Sequence, residues 1–408
     1  MRGSSYGQVG ERHRGTRQRR RVLRRTALAR GPMAGDDHIL LIGGYGNLGR
    51  GIASLLAPRS VARITLAGRN GDRAAAAAAA INKDLPTGRV EARCLDVSDG
   101  DDLKAALKSV DLVVVAAGTI EHAGKVAAAA LEAGADYFDV QLSSLQKHDV
   151  LEGLRQRIES EGRWFVSDGG SHPGLPAALV RHASTHFDSL ETAQVAMLMQ
   201  LDWRSLEFSP TTIEEFIAEI RDYQPLVLQH GKWQALGWRD FRRFAFAAPF
   251  GERTCTPMFL HEMAQLPSLI PDLHETGLHV AGFNWFVDYL VLPFSLAAFK
   301  IWPKSRRIKR ALGALMHWGL KAFAKPPYAM IMVLEANGRR AGRPASLRLE
   351  IGHEDAYVLT AAAVTSCLLQ RLDGSLSQPG LWCQATVVDT DRLLNDLRDM
   401  GASVRVVN

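Results

Sequence analysis

Cysteine is scarce. The four thiols, Cys94, Cys255, Cys367 and Cys383, are widely spaced and form no CxxC pair, which excludes a zinc ribbon and a disulfide framework and fits a reducing cytosol. No metal site is expected. Long uncharged apolar runs are also missing. The most hydrophobic segment has its longest such run at Tyr289 to Phe299, eleven residues, too short for one bilayer-spanning helix. With 47% hydrophobic and 23% charged residues among 408, neither general disorder nor a polytopic membrane protein fits, and the length suits two or three domains.

Charge is unevenly placed. Residues 1–32 hold ten Arg and one Glu, so the net +6 of the chain becomes −3 for Met33–Asn408. The folded body is therefore not expected to bind nucleic acid. The basic stretch, 1–35, has no apolar periodicity and reads as a disordered tail. Three readings of it stay open: a start-site choice in which Met33 opens the chain, an Arg-rich arm for phosphate-rich partners, and an organelle-targeting peptide.

From His38 the pattern is regular. A short apolar strand, His38 to Ile42, leads into Gly43-Gly44-Tyr45-Gly46-Asn47-Leu48-Gly49 and then a helix. This is the dinucleotide fingerprint GxGxxG in strand–turn–helix context. Gly44 is expected at the tight turn, Gly46 where backbone approaches the pyrophosphate, and Gly49 where helix meets strand; the helix N-terminus offers N–H groups to the phosphates. The next strand, Arg63 to Ala67, ends in Gly68-Arg69-Asn70. An NAD-selective site usually places Asp or Glu there; Arg69, helped by Arg73, instead suits a 2′-phosphate, so the expected cofactor is NADP(H). Further βα units follow, with strands at Val90 to Leu95, Leu112 to Ala117, Tyr137 to Val140 and Trp164 to Ser167. Such alternation implies a parallel, doubly wound sheet. Asp96 and Val97, after the third strand, fall where adenine binds, and Ala117 and Gly118, after the fourth, on the nicotinamide side.

The runs GGYGNLGRGIASLL, LAGRN, LVVVAAGTIEHAGKVAAAALEAGADYFDV and SDGGSHPGLPAALV resemble the saccharopine dehydrogenase family over about residues 38–180, and GHEDAYVLTAAAV with GLWCQATVVDTDRLLNDLRDMGASV extends the resemblance at the C-terminus. It implies an α/β protein: an N-terminal Rossmann doubly wound parallel sheet, a second α+β domain, and a cofactor cleft between them. It also implies redox chemistry on C–N bonds of amino acids or amines, or on C=C bonds of lipids. Two departures matter. His172-Pro173-Gly174 stands where several members place Asp before Pro-Gly, and Gly118-Thr119-Ile120 where many read Gly-Pro-aromatic. Saccharopine itself is therefore not the expected substrate.

Hydride transfer needs little from side chains beyond position, electrostatics and one proton, so no triad is required. His172, Asp139 and Tyr357 are the catalytic candidates, with His353 behind them. Each also has a bland reading: a loop histidine, a strand residue, and a helix start at which Glu354 or Asp355 is the cap. Domains are expected at 36–175 (Rossmann), 176–380 (α+β, substrate and dimerisation) and 381–408, packing back on the Rossmann unit. Strands are expected at Ala193 to Gln200, Met258 to Met263, Tyr328 to Ala336 and Ser346 to Ile351, with a hairpin at Asn337-Gly338. The cluster from Trp238 to Arg243 is either an anion site or a solvated basic face.

Residues 283–325 are distinctive. Eight Lys or Arg and one Asp give +7, leaving −10 for the rest of the body. Aromatic and aliphatic residues beside this cluster fit an in-plane membrane element as well as they fit burial against the second domain or a partner subunit. The expected protein is a cytoplasmic homo-oligomer, peripheral to a membrane on the first of these readings. It acts as an NADP(H)-dependent oxidoreductase on a small molecule. A non-catalytic NADP(H) sensor and a membrane-associated scaffold remain the other readings.

Overall fold

A computed structural model describes residues 37–85, 88–205, 223–237, 240–302 and 305–407, and side chains within them except those of Arg306 and Val407. The basic tail, Trp238 and Arg239 lie outside the described residues. Strands run in chain order as β1 His38–Ile42, β2 Arg63–Gly68, β3 Val90–Cys94, β4 Leu112–Val115, β5 Asp136–Asp139, β6 Trp164–Ser167, β7 Ser189–Gln200, β8 Leu226–Gln229, β9 Lys232–Ala235, β10 Arg242–Phe246, β11 Gly251–Met258, β12 Glu275–Ala281, β13 Ala329–Arg340, β14 Arg343–His353, β15 Gly380–Cys383 and β16 Ser403–Val407.

Seven strands form a parallel sheet in the order β15-β6-β5-β4-β1-β2-β3. Its central strands are apolar on both faces because helices cover both. Along β1 the side chains alternate: Ile39 and Leu41 join the core shared with the second domain, while Leu40 and Ile42 join a separate core on the far face. The second sheet runs β10-β11-β12-β7-β13-β14-β16 with β8 and β9 appended to β12. It is mixed, β12 and β7 being parallel while β13 lies antiparallel to both β7 and β14. The α/β reading with a second α+β unit is the observed architecture.

The C-terminal residues enter both sheets. β15 pairs with β6 at the edge of the first, and β16 pairs with β14 at the edge of the second. Between the sheets lies the helix Ala356–Leu372, eleven of whose seventeen residues are buried. Arg371 near its end reaches Asp136 at the start of β5, Nη2 to Oδ2 2.5 Å, and both are almost fully buried. Asp136 also accepts from the Trp164 amide at 3.0 Å, so one carboxylate joins helix, β5 and β6.

Two local expectations are corrected. The β13–β14 hairpin turns at Ala341-Gly342, with φ of +50° and +73°, not at Asn337-Gly338. Asn337 and Gly338 sit within β13 at a bulge, where a Cβ on Gly338 would fall 2.1 Å from Ser189 O; the glycine there admits the neighbouring strand. The run Met258 to Met263 is not a strand. β11 ends at Met258, and His261–Ala264 is a short helix whose Glu262 is turned inward.

Candidate active site and cofactor cleft

The fingerprint closes as a tight turn at the carboxyl end of β1. Gly43 carries the positive φ, +80°, so the turn depends on it and not on Gly44 as expected. Gly44 is required for packing, since a Cβ there would lie 2.8 Å from Leu66, and a Cβ on Gly49 would lie 2.3 Å from Gly43 O. Gly46 precedes the helix Asn47–Leu56, and no side chain caps that N-terminus. Gly46, where a Cβ would meet only Gly43 O at 3.2 Å, leaves the backbone open beside the uncapped helix end, the cradle an anionic pyrophosphate needs.

Arg69 and Asn70 follow β2 and are exposed. Asn70 caps the helix Gly71–Asn82 by accepting from the Arg73 amide at 2.9 Å. The Arg73 guanidinium stacks over the Tyr45 ring, 5.0 Å from its centroid, and the Tyr45 hydroxyl accepts from the Asn70 amide at 3.3 Å. Two cations thus stand beside the turn, suited to a 2′-phosphate. Asp96 is exposed. Its Oδ1 accepts from the Ser98 amide and hydroxyl, which hold its carboxyl below the usual range. Val97 is buried beneath it, and Leu48 packs against the core. Ala117 O accepts from Gln141 Nε2 at 3.1 Å, so the bend carrying Ala117 and Gly118 is tied to the end of β5.

A cavity of about 610 Å³ lies between the carboxyl edge of the first sheet and the second domain. Leu142, Ser171 and His172 come from the loops after β5 and β6; Met197, Met199, Met258, Val280 and Met330 come from the second sheet. Helical residues Leu292, Leu296 and Met316 add a further wall. The described lining residues include no Arg or Lys. Most of its polar groups are already engaged: Ser171 with Thr360 at 2.7 Å, the Tyr223 hydroxyl donating to Pro257 O at 2.6 Å, and Asp288 accepting from the Phe283 amide at 2.8 Å.

His172 and Tyr357 both line this cavity. His172 Nε2 is buried and has no hydrogen-bond partner among the described residues. Burial pushes its pKa down to about 4, so the imidazole is neutral at pH 7. Tyr357 lies in the first turn of the helix Ala356–Leu372, and the Asn47 side chain of the fingerprint turn is near enough to favour its phenolate, against the burial that raises its pKa. Burial raises its pKa, which keeps the hydroxyl protonated. Through this pair the cavity and the cofactor turn touch. Asp355 caps the helix by accepting from the Tyr357 amide at 2.7 Å, and His353 Nδ1 accepts from the Asp355 amide at 2.8 Å, so the bland reading describes both.

Asp139 is placed differently. It is fully buried, does not line the cavity, and bonds Lys147 Nζ at 2.8 Å. Lys147 also meets Asp168 Oδ1 at 2.8 Å and Gln141 O at 3.0 Å. Asp168 further accepts from Ser143 Oγ at 2.9 Å and faces His148 Nε2 at 3.1 Å. The sequence does not disclose the cluster, because Lys147 in LQKHDV reads as an ordinary helix lysine. It anchors the loop that carries His172. Asp168 opens that loop at φ +56°, Gln384 clamps Gly170 by two 3.0 Å bonds, and Glu262 accepts from the Gly174 and Ala177 amides at 2.7 and 3.1 Å. A loop held from three sides keeps the imidazole in one place.

Comparison with known proteins agrees with this geometry. Residues 39–165 match the family model of the saccharopine dehydrogenase NADP binding domain. Among solved structures, the saccharopine dehydrogenase (L-Glu forming) of Saccharomyces cerevisiae is 15% identical, covering 91% of this chain and 100% of that one at a TM-score of 0.65. That likeness shows the same fold over nearly the whole length. The DAP dehydrogenase of C. glutamicum is 13% identical, covering 90% of this chain and 99% of that one, and its TM-score of 0.42 adds no weight. No curated protein matches. Residues 39–165 are thus an NADP-binding domain of the saccharopine dehydrogenase type, set within a fold shared over nearly the whole length with that solved structure.

Proposed function

We propose that this chain is an NADP(H)-dependent oxidoreductase acting on a C=N or C=C bond of an uncharged, lipophilic substrate held in the 610 Å³ cavity. The observation that carries the reading is the lining: methionine, leucine and aromatic side chains, with no Arg or Lys among the described residues to receive a substrate carboxylate. An amino acid bound there would leave its carboxylate unpaired in an apolar site.

Bound cofactor supplies the hydride, or accepts it in the reverse direction. Gly46 and the uncapped helix N-terminus beside it admit the pyrophosphate, while Gly44 and Gly49 let the turn and helix pack, and Arg69 with Arg73 binds the 2′-phosphate. The Tyr357 hydroxyl, which lines the cavity beside Asn47, donates a hydrogen bond or the proton to the substrate heteroatom. Neutral His172 hydrogen-bonds the same polar end of the substrate, or accepts the proton when the bond is oxidised. Asp139 stays within its ion cluster and supports the His172 loop from behind.

NADPH oxidation against a panel of neutral cyclic imines, conjugated ketones and amino-keto acid pairs tests this. Turnover confined to the neutral lipophilic members is expected, with Tyr357→Phe lowering kcat about 100-fold while NADPH binding is unchanged. NADPH binding without turnover across the panel would point to a sensor, and preference for the carboxylate-bearing pairs would sink the substrate assignment.

A further inference from the structure

The helices that wall one side of the cavity also turn an apolar face outward. Leu292 and Leu296 of the helix Leu292–Ile301, and Met316 of the helix Arg306–Ala322, line the cavity. On the outside, Trp285, Tyr289, Phe294, Ile301, Trp302 and Trp318 are each more than half exposed. Most large apolar side chains exposed among the described residues fall between positions 285 and 318. Single exposed hydrophobics need no explanation, but a contiguous group of this size does.

The patch is built and not frayed. Trp285 packs on Phe323 at 5.0 Å, Phe286 on Trp318 at 5.3 Å and on Phe323 at 5.0 Å, which fixes the two outer indoles. Ser305 caps the second helix by accepting from the Ile308 amide, while Leu312, Met316 and Leu320 bury its inner stripe. Beside the aromatic face stand Lys300, Arg307, Lys309 and Arg310, which form no ion pair with another described residue. The charge is concentrated here: +7 over residues 283–325 against −10 for the rest of Met33–Asn408.

We propose that residues 285–318 dock in the plane of an anionic lipid surface, with their inner side forming the wall through which lipophilic substrate reaches the cavity. Indoles and a tyrosine at the level of the headgroups, with cations alongside, match the chemistry of such a surface. A second copy is a poorer occupant. A two-fold contact through this face would set one +7 cluster against another. Neither helix is long and apolar enough to cross a membrane, so the element lies on the surface. The delivery role rests on the proposed lipophilic substrate; the docking itself does not.

The test is tryptophan fluorescence of the full chain with phosphatidylcholine vesicles, with and without phosphatidylserine, using lipids brominated in the acyl chain. The Arg-rich residues 1–32 contain no Trp, so quenching reports on the body and not on the tail. Quenching is expected on anionic vesicles and is lost in Trp285→Phe/Trp302→Phe/Trp318→Phe. Arg307→Gln/Lys309→Gln/Arg310→Gln should weaken vesicle affinity about 100-fold, at roughly one charge's worth of attraction each, with NADPH binding intact as the check on folding. Vesicle association without quenching would assign binding to the tail and overturn the proposal. So would equal affinity for neutral vesicles, or self-association abolished by Tyr289→Ser/Phe294→Ser, which would make the patch a subunit contact. Turnover of a water-soluble neutral substrate without vesicles reads the enzymatic assignment separately, so either can fail alone.

Discussion

Lys147 carries its charge to a place with no solvent at all, and burial alone would lower its pKa; Asp139 and Asp168, each 2.8 Å away, reverse that and hold the ammonium charged. Removing the cation would leave two buried carboxylates facing one another. Lys147→Met should therefore destabilise the protein by about 3–5 kcal/mol, read as a lower urea midpoint. A loss below about 1 kcal/mol would show that the carboxylates relax onto other donors. Arg69 acts at the opposite extreme of exposure, where only the ligand gives it a partner. Arg69→Ala should weaken NADPH binding about 10–100-fold and leave NADH binding unchanged; equal losses for both nucleotides would remove Arg69 from the 2′-phosphate. These two residues also mark what could be read in advance. Arg69 is visible because the fingerprint sets a register from which its position can be counted. Lys147 is invisible because its partners lie on two other strand ends, and nothing in its own helix records them.

At the scale of elements, the contact between the fingerprint turn and its helix has no slack. A Cβ at Gly49 would sit 2.3 Å from Gly43 O and 2.7 Å from Gly44 Cα, all backbone, so nothing nearby can rotate away. Gly49→Ala should push helix Asn47–Leu56 off β1, displace Asn47 from Tyr357, and cost about 1–3 kcal/mol. NADPH affinity should fall with it, measured by the same fluorescence titration in wild type and variant; unaltered affinity would mean that the turn yields without moving the cradle. The strands of this half could be read from the chain because buried parallel strands are short apolar runs between turn residues, and β1, β4 and β6 are of that kind. β15 is not legible in the sequence because four residues, Gly380–Cys383, carry no period, and their partner β6 lies more than two hundred positions earlier. For the β13–β14 turn the sequence points to Asn337-Gly338, the stronger turn signal, whereas the chain turns two pairs later at Ala341-Gly342.

Over the whole molecule, buried titratable groups pull stability in opposite directions with pH. Burial lowers the pKa of His279 to about 3 and of His172 to about 4, and lowers His38, His182, His261 and His317 as well. Unfolded, each histidine takes a proton near 6.5, so acidification below that value loads protons on the unfolded chain first and stability falls. Two carboxyls work the other way. Burial pushes Glu262 up to about 8 and Asp288 up to about 6, so the folded chain keeps protons that the unfolded chain has released, and the stability they contribute is lost as pH rises through those values. Between about pH 4.5 and 6.5 the six histidines outweigh the two acids, and above 7 only Glu262 still titrates toward 8. Thermal melts should therefore show a maximum near pH 6.5–7, a steep acid limb and a shallow alkaline one, each proton of difference adding about 1.4 kcal/mol per pH unit. Glu262→Gln separates the limbs. Its amide can accept from only one of the Gly174 and Ala177 amides, which costs about 1–3 kcal/mol. With the raised carboxyl gone, the decline between pH 7 and 8 should disappear and the acid limb between about pH 4.5 and 6.5 should steepen by about one proton, so the deficit is largest in acid and shrinks toward pH 8. An unchanged alkaline limb in that variant would place the titrating group elsewhere than Glu262.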